Sequence, residues 1–82
     1  MPAQALQAVD NLEAVLREGG YELSDVVRLN YYVTDVDAFV AAGESLGRRL
    51  GEAGCRASGT LLGVERLAFP GLMVEIEATA AR

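Results

Sequence analysis

The chain has 82 residues with twelve acids, seven arginines, no lysine and no histidine, for a net charge of −5. That balance argues against nucleic-acid binding through phosphate neutralisation, and the missing imidazole and amine exclude histidine acid–base and Schiff-base catalysis. A lone cysteine without histidines offers no zinc site and no internal disulfide, and no apolar run approaches the roughly 20 residues of a membrane span.

The opening MPAQALQAVD lacks the regions of a secretory signal, so a soluble, cytoplasmic protein of one small domain is expected, with no membrane partner. Ala5, Ala8, Val9, Leu12, Val15 and Leu16 recur at helical spacing, with Pro2 in the first turn and Gly19-Gly20 as the stop. The spacing predicts a helix over 3–18 with one buried face.

SDVVRLNYYVTD follows, rich in β-branched and aromatic residues. Its alternation predicts a strand with Val27, Leu29, Tyr31 and Val33 on an apolar face and Val26, Arg28, Asn30 and Tyr32 on a mixed one. Thr34 or Asp35 then caps a second helix, whose stripe runs through Val36, Phe39, Val40, Gly43, Leu46, Gly47 and Leu50. Gly43 and Gly47 there read as points of close packing on a sheet. TLLGVERLA and LMVEIEATA form two final strand-like runs, and the Phe69-Pro70-Gly71 turn between them predicts an antiparallel hairpin. Helix, strand, helix, strand, strand makes an α+β layer with two helices on one face of an antiparallel-type sheet. The layer is thin and reads as a partial sheet, or as one completed by other subunits.

Three features carry candidate chemistry. On the last strand Leu72, Val74, Ile76 and Ala78 share one face, and Met73, Glu75, Glu77 and Thr79 the other. Glu75 and Glu77, roughly 7 Å apart by the strand rise, either lie on a solvated face or line a cleft where a carboxylate holds a water. Arg56 is either an ordinary loop charge or a bidentate anchor for an amino- or keto-acid carboxylate. Cys55 has no cationic neighbour in sequence to stabilise a thiolate and reads as inert.

Two stretches, NLEAVLREGGYELSDVVRLNYYVTDVDAF and GTLLGVERLAFPGLMVEIEATA, together resemble the Rid family of reactive intermediate deaminases, also called YjgF-like or L-PSP proteins. The likeness runs from about residue 4 to 82. It implies a chorismate-mutase-like α+β fold that assembles as a homotrimer, with sheets around a central barrel and ligand clefts between subunits. Deaminase members hydrolyse enamines and imines such as 2-aminoacrylate to keto acids and ammonia, without metal or cofactor. By this resemblance Glu75 positions the water, Glu77 is more structural, and an arginine holds the substrate carboxylate.

The sequence departs from the family pattern twice. About three strands usually precede the first helix, so this is expected to be an N-terminally short member, a single partial domain over 1–82. The family arginine, counted back from Leu67, falls on Gly59 and not on Arg56, as in subgroups without the clamp. Two functions therefore stand open. One is imine or enamine hydrolysis by Glu75 and a water, with Arg56, or the Ser58, Gly59 and Thr60 backbone, as carboxylate anchor and Tyr32 beside the ligand. The other is a trimer that binds a small metabolite without turnover. A third reading, endoribonuclease, is opposed by the acidic charge and the missing histidine.

Overall fold

The computed structural model describes residues 1–82. Helix α1 spans Pro2–Glu18, a single 3₁₀ turn Leu23–Asp25, strand β1 Val26–Val33, helix α2 Val36–Ala41, helix α3 Gly43–Glu52, strand β2 Ser58–Gly63 and strand β3 Val74–Ala80. The strands form one sheet in the order β2-β1-β3, with β1 parallel to β2 and antiparallel to β3. The α+β class holds, but the sheet is mixed rather than antiparallel, and β2 and β3 do not form the expected hairpin.

The reason is that the crossover through α2 and α3 returns β2 parallel to β1, as a helical connection between strands does. Residues 64–73 must then cross the end of β1 to reach its far edge. Hydrogen bonds from Val64 N–H to the Val33 carbonyl (2.8 Å) and from Thr34 N–H to the Met73 carbonyl (3.1 Å) mark where the crossing is pinned. Gln4 of α1 clamps its far end, donating to the Gly71 carbonyl and accepting from Met73 N–H, each at 2.9 Å. The turn at Phe69-Pro70-Gly71 is real, with Gly71 at φ 84°, but it lies within this crossing.

The core lies between the helices and the inner sheet face. It consists of Ala5 and Val9 from α1, Leu23, Val33 from β1, Phe39, Leu46 and Val74 from β3. Leu29, Tyr31 and Val33 face inward as expected, whereas the first two residues of β1 exchange roles. Val26 is buried and Val27 is 51% exposed, because a bulge at Val27 sets Val26 and Arg28 opposite the adjacent residues Ala80 and Thr79. One extra residue in a strand reverses the faces on its far side.

The second predicted helix is divided. Asp35 caps α2 by accepting from Ala38 N–H at 3.0 Å. The helix then breaks for one residue at Ala42 (φ −86°, ψ −2°), just before Gly43 with its low helix propensity. Gly43 and Gly47 do not serve close packing: a Cβ at either would meet no atom within 4 Å. Val40 is 62% exposed and Val15 67% exposed, so both stripes reach beyond the surface the sheet covers. Arg49 of α3 reaches α1, donating to Asp10 (3.1 Å) and Glu13 (3.0 Å). Its guanidinium is held charged above its ordinary range chiefly by the Asp10 hydrogen bond.

Two glycines give opposite expectations. A Cβ on Gly59 would stand 2.7 Å from the Leu29 carbonyl oxygen, which is backbone and cannot turn aside. Gly59→Ala is therefore expected to lower stability by about 1–3 kcal/mol, as overpacking does. Gly47→Ala should raise it by about 0.5–1 kcal/mol, by filling open space in a helix interior. Urea denaturation of the two variants checks both signs.

Candidate functional site

The outer face of the sheet, away from the helices, is built in three rows by the strand register. Arg28 lies between Ser58 and Thr79, Asn30 between Thr60 and Glu77, and Tyr32 between Leu62 and Glu75. Residues at matching register share a face and lie one strand spacing apart, so these side chains are direct neighbours.

Glu77 is the organised carboxylate of this face. Its Oε1 accepts from Asn30 Nδ2 at 2.9 Å and from the Tyr32 hydroxyl at 3.1 Å. These two hydrogen bonds, that of Asn30 foremost, hold the Glu77 carboxyl below its ordinary value. The same contact pushes the Tyr32 phenol up, because ionising it would remove the donor and set an anion against Glu77. Glu75 is exposed beside Tyr32 and takes no part in any side-chain hydrogen bond or ion pair. The two glutamates divide the roles: Glu77 is anchored, and Glu75 is free to meet a ligand or a water.

Arg56 is exposed and belongs to none of the chain's ion pairs. It precedes β2 at the Val26 end of the sheet, whereas Glu75 sits at the Val33 end of β3. Two strand spacings and about six residue steps separate them, roughly 20 Å. A single chain thus brings Tyr32 and Glu75 together and keeps Arg56 apart. Ser58 and Thr60 share the outer face with them, while Gly59 is turned to the inner face and closed to a side chain by the Leu29 carbonyl. Cys55 is half-buried against the core, next to Tyr31, whose phenol is pushed up by burial and by the thiol. No cluster of His, Cys, Asp and Glu is arranged to hold a metal ion. No helix is long and apolar enough to cross a membrane.

Asn30 as the main partner of Glu77 was not read from the sequence. Alternation placed both on outer faces, but only the β1–β3 register sets one opposite the other.

The family model described as Endoribonuclease L-PSP matches residues 1–82. The chain belongs to this Rid/YjgF-like family. A RutC family protein of Pyrococcus horikoshii is 31% identical over 77 residues, which cover 94% of this chain and 59% of that protein. The crystal structure of a Yersinia pestis protein of the conserved Rid family, described as of unknown function, superimposes with a TM-score of 0.86 at 38% identity, covering 100% of this chain and 62% of that one. TdcF of E. coli, solved with bound serine, superimposes at 0.87 with 25% identity, covering 99% of this chain and 63% of that one. The chain thus spans about three-fifths of the length of these Rid relatives, and within that span their fold is the one described above.

The Glu77 cluster has a checkable pH signature. A depressed carboxyl contributes stability that is complete above its ordinary 4.5 and is lost as pH falls through the lower folded value. The raised phenol contributes below its ordinary 10.0 and loses that contribution as pH rises through the higher folded value. In carboxyl-resolved NMR titrations, Asn30→Ala combined with Tyr32→Phe should move the Glu77 midpoint upward toward the ordinary range.

Proposed function

We infer that this chain is a small-metabolite-binding Rid protein of the kind without a clamp arginine, holding an amino-acid-derived or keto-acid-like ligand on its polar sheet face. The observation that carries this reading is the separation of Arg56 from Glu75 by roughly 20 Å, together with the closed position at Gly59. One chain does not join a carboxylate anchor to a water-holding glutamate. The serine in TdcF supports the ligand class, since an ammonium group suits a free carboxylate such as Glu75. The homotrimer implied by the family likeness would enclose the ligand, because the face is open to solvent in one chain. Tyr32, Ser58 and Thr60 then supply the hydroxyls that orient it.

A second reading, cofactor-free imine or enamine hydrolysis, is favoured by one observation: Glu75 has no protein partner and is free to hold a water. It requires Arg56, or the backbone near Ser58 and Thr60, to reach Glu75 of a neighbouring subunit. Hydrolysis would then proceed by addition of that water to the imine carbon and loss of ammonia, leaving the keto acid.

Pyruvate release from freshly generated 2-aminoacrylate separates the two, measured with the wild type, Arg56→Ala and Glu75→Ala, each confirmed folded. The binding reading expects no acceleration over buffer, while serine or a short keto acid shifts the NMR resonances of Tyr32, Thr60 and Glu75 saturably. Acceleration lost in both variants would replace that reading with the hydrolase. Sedimentation equilibrium should give a mass divisible by three chains, and loss of that assembly should abolish ligand binding.

A further inference from the structure

The outer edge of β3 is built to be covered. β1 occupies one edge of Val74–Ala80, and the sheet order leaves the other without a strand. Natural sheets protect such edges with lysine, proline, a bulge or an inward charge. VEIEATA has no lysine or proline, the bulge lies in β1, and both glutamates point to the outer face.

Beside this edge runs α1. Ala8, Asn11, Leu12 and Val15 of the helix, with Ile76 of β3, line a groove of about 330 Å³. A second groove of about 400 Å³ continues it toward Phe69 and Leu72. No charged side chain lines either one, although 7 + 12 = 19 of the 82 residues are charged. Asn11 accepts from Gln7 Nε2 at 2.9 Å, so one amide at the rim is satisfied within the helix. Val15 stands 67% exposed on the same stripe that buries Ala5 and Val9.

We propose that a second copy of this chain covers this edge, β3 pairing antiparallel with β3 about a twofold axis at Ala78. The charges select that register. About Ala78, Glu77 faces Thr79 of the partner, Ile76 faces Ala80 and Glu75 faces Ala81, so no acid opposes an acid. An axis at Glu77 sets Glu77 against itself, and one at Ile76 sets Glu75 against Glu77, each destabilising. The helix follows the same symmetry. α1 begins at the Gly71–Met73 end of β3 and advances toward Ile76, so its exposed Val15 nears the axis and meets the partner's Val15. The result is a continuous six-stranded sheet with the helices on one side, and an interface that closes on itself. Pairing β2 with β3 would be heterologous and would not stop at two chains. β2 also has all six residues exposed and two glycines among them, with no comparable groove.

This proposal is independent of the metabolite-binding reading, and the mass of the 82-residue chain separates them in sedimentation equilibrium. The expected mass is two chains, or six where the polar face also trimerises; one or three chains at all concentrations overturns the edge pairing and leaves the trimer to stand or fall alone. Val15→Glu, at a position already exposed, should weaken the pairing at least tenfold with an unchanged melting temperature. Thr79→Glu should do the same by setting acids opposite each other, and its carboxylate can pair with Arg28 within the monomer, so the fold is kept. Ala78→Cys in a Cys55→Ser background should cross-link to a covalent dimer on mild oxidation. An even-numbered assembly that survives both charge variants and does not cross-link also overturns the proposal.

Discussion

Strand β1 is bonded on both edges, and everything else is placed by reference to it. Its inner face, Leu29 and Val33, is the floor of the core, and its ends fix where the crossover and the C-terminal tail attach. The bulge at Val27 belongs to this role. It lets Val26 turn inward at the point where Asp25 receives the Ala81 N–H on its carbonyl at 3.0 Å. The Asp25 carboxylate accepts from Glu22 N–H and pairs with Arg82 at 3.2 Å, while Arg82 also lies over the Tyr21 ring at 5.2 Å. The Glu22 hydrogen bond is the main cause holding the Asp25 carboxyl below its ordinary range. These contacts are exposed, and each contributes little alone. Together they lock the last residues of β3 to the first turn before β1, which preserves the register across the sheet.

That register makes the polar face a site rather than a scatter of side chains. Alternation within a strand says which residues share a face, and pairing says which of them touch. The β1–β3 register sets Asn30 beside Glu77 and Tyr32 beside Glu75. Tyr32 then leans to Glu77, and one carboxylate receives two donors while the other receives none. Slipping β3 by one residue would turn both acids into the core, so the chemistry of the face and the stability of the core depend on one alignment.

The elements were largely legible in the sequence because each carries a local signature: the α1 stripe, the alternation of β1, the Asp35 cap and the alternation of β3. Non-local features were not. The Pro-Gly turn suggested a hairpin, since a turn motif does not report that the chain crosses over another strand before pairing. The intervening helices did imply a parallel β1–β2 pair, and that longer-range signal was the better guide. Val27 was assigned inward because one bulge residue is invisible to a period-two count. Gly43 and Gly47 suggested close packing, but a glycine missing a side chain looks the same in sequence whether something fills the space or nothing does. At the site, Glu75 and Tyr32 fell on the expected face. The isolation of Arg56 follows from strand order, which no spacing within a segment encodes.

The core explains why so much of this surface is unfinished. Ten residues are buried out of 82, and a domain of this size has little apolar area to set against the entropy of ordering its chain. The two surfaces left open differ in what they can accept. The polar face offers side-chain donors and carboxylates, so what binds there is selected by charge and hydrogen bonding and weakened by salt. The β3 edge offers main-chain groups and an uncharged groove, so what binds there is selected by register and apolar fit, and salt matters little. A small three-stranded sheet can therefore carry two interfaces without confusing their partners, because the groups that would recognise one are absent from the other.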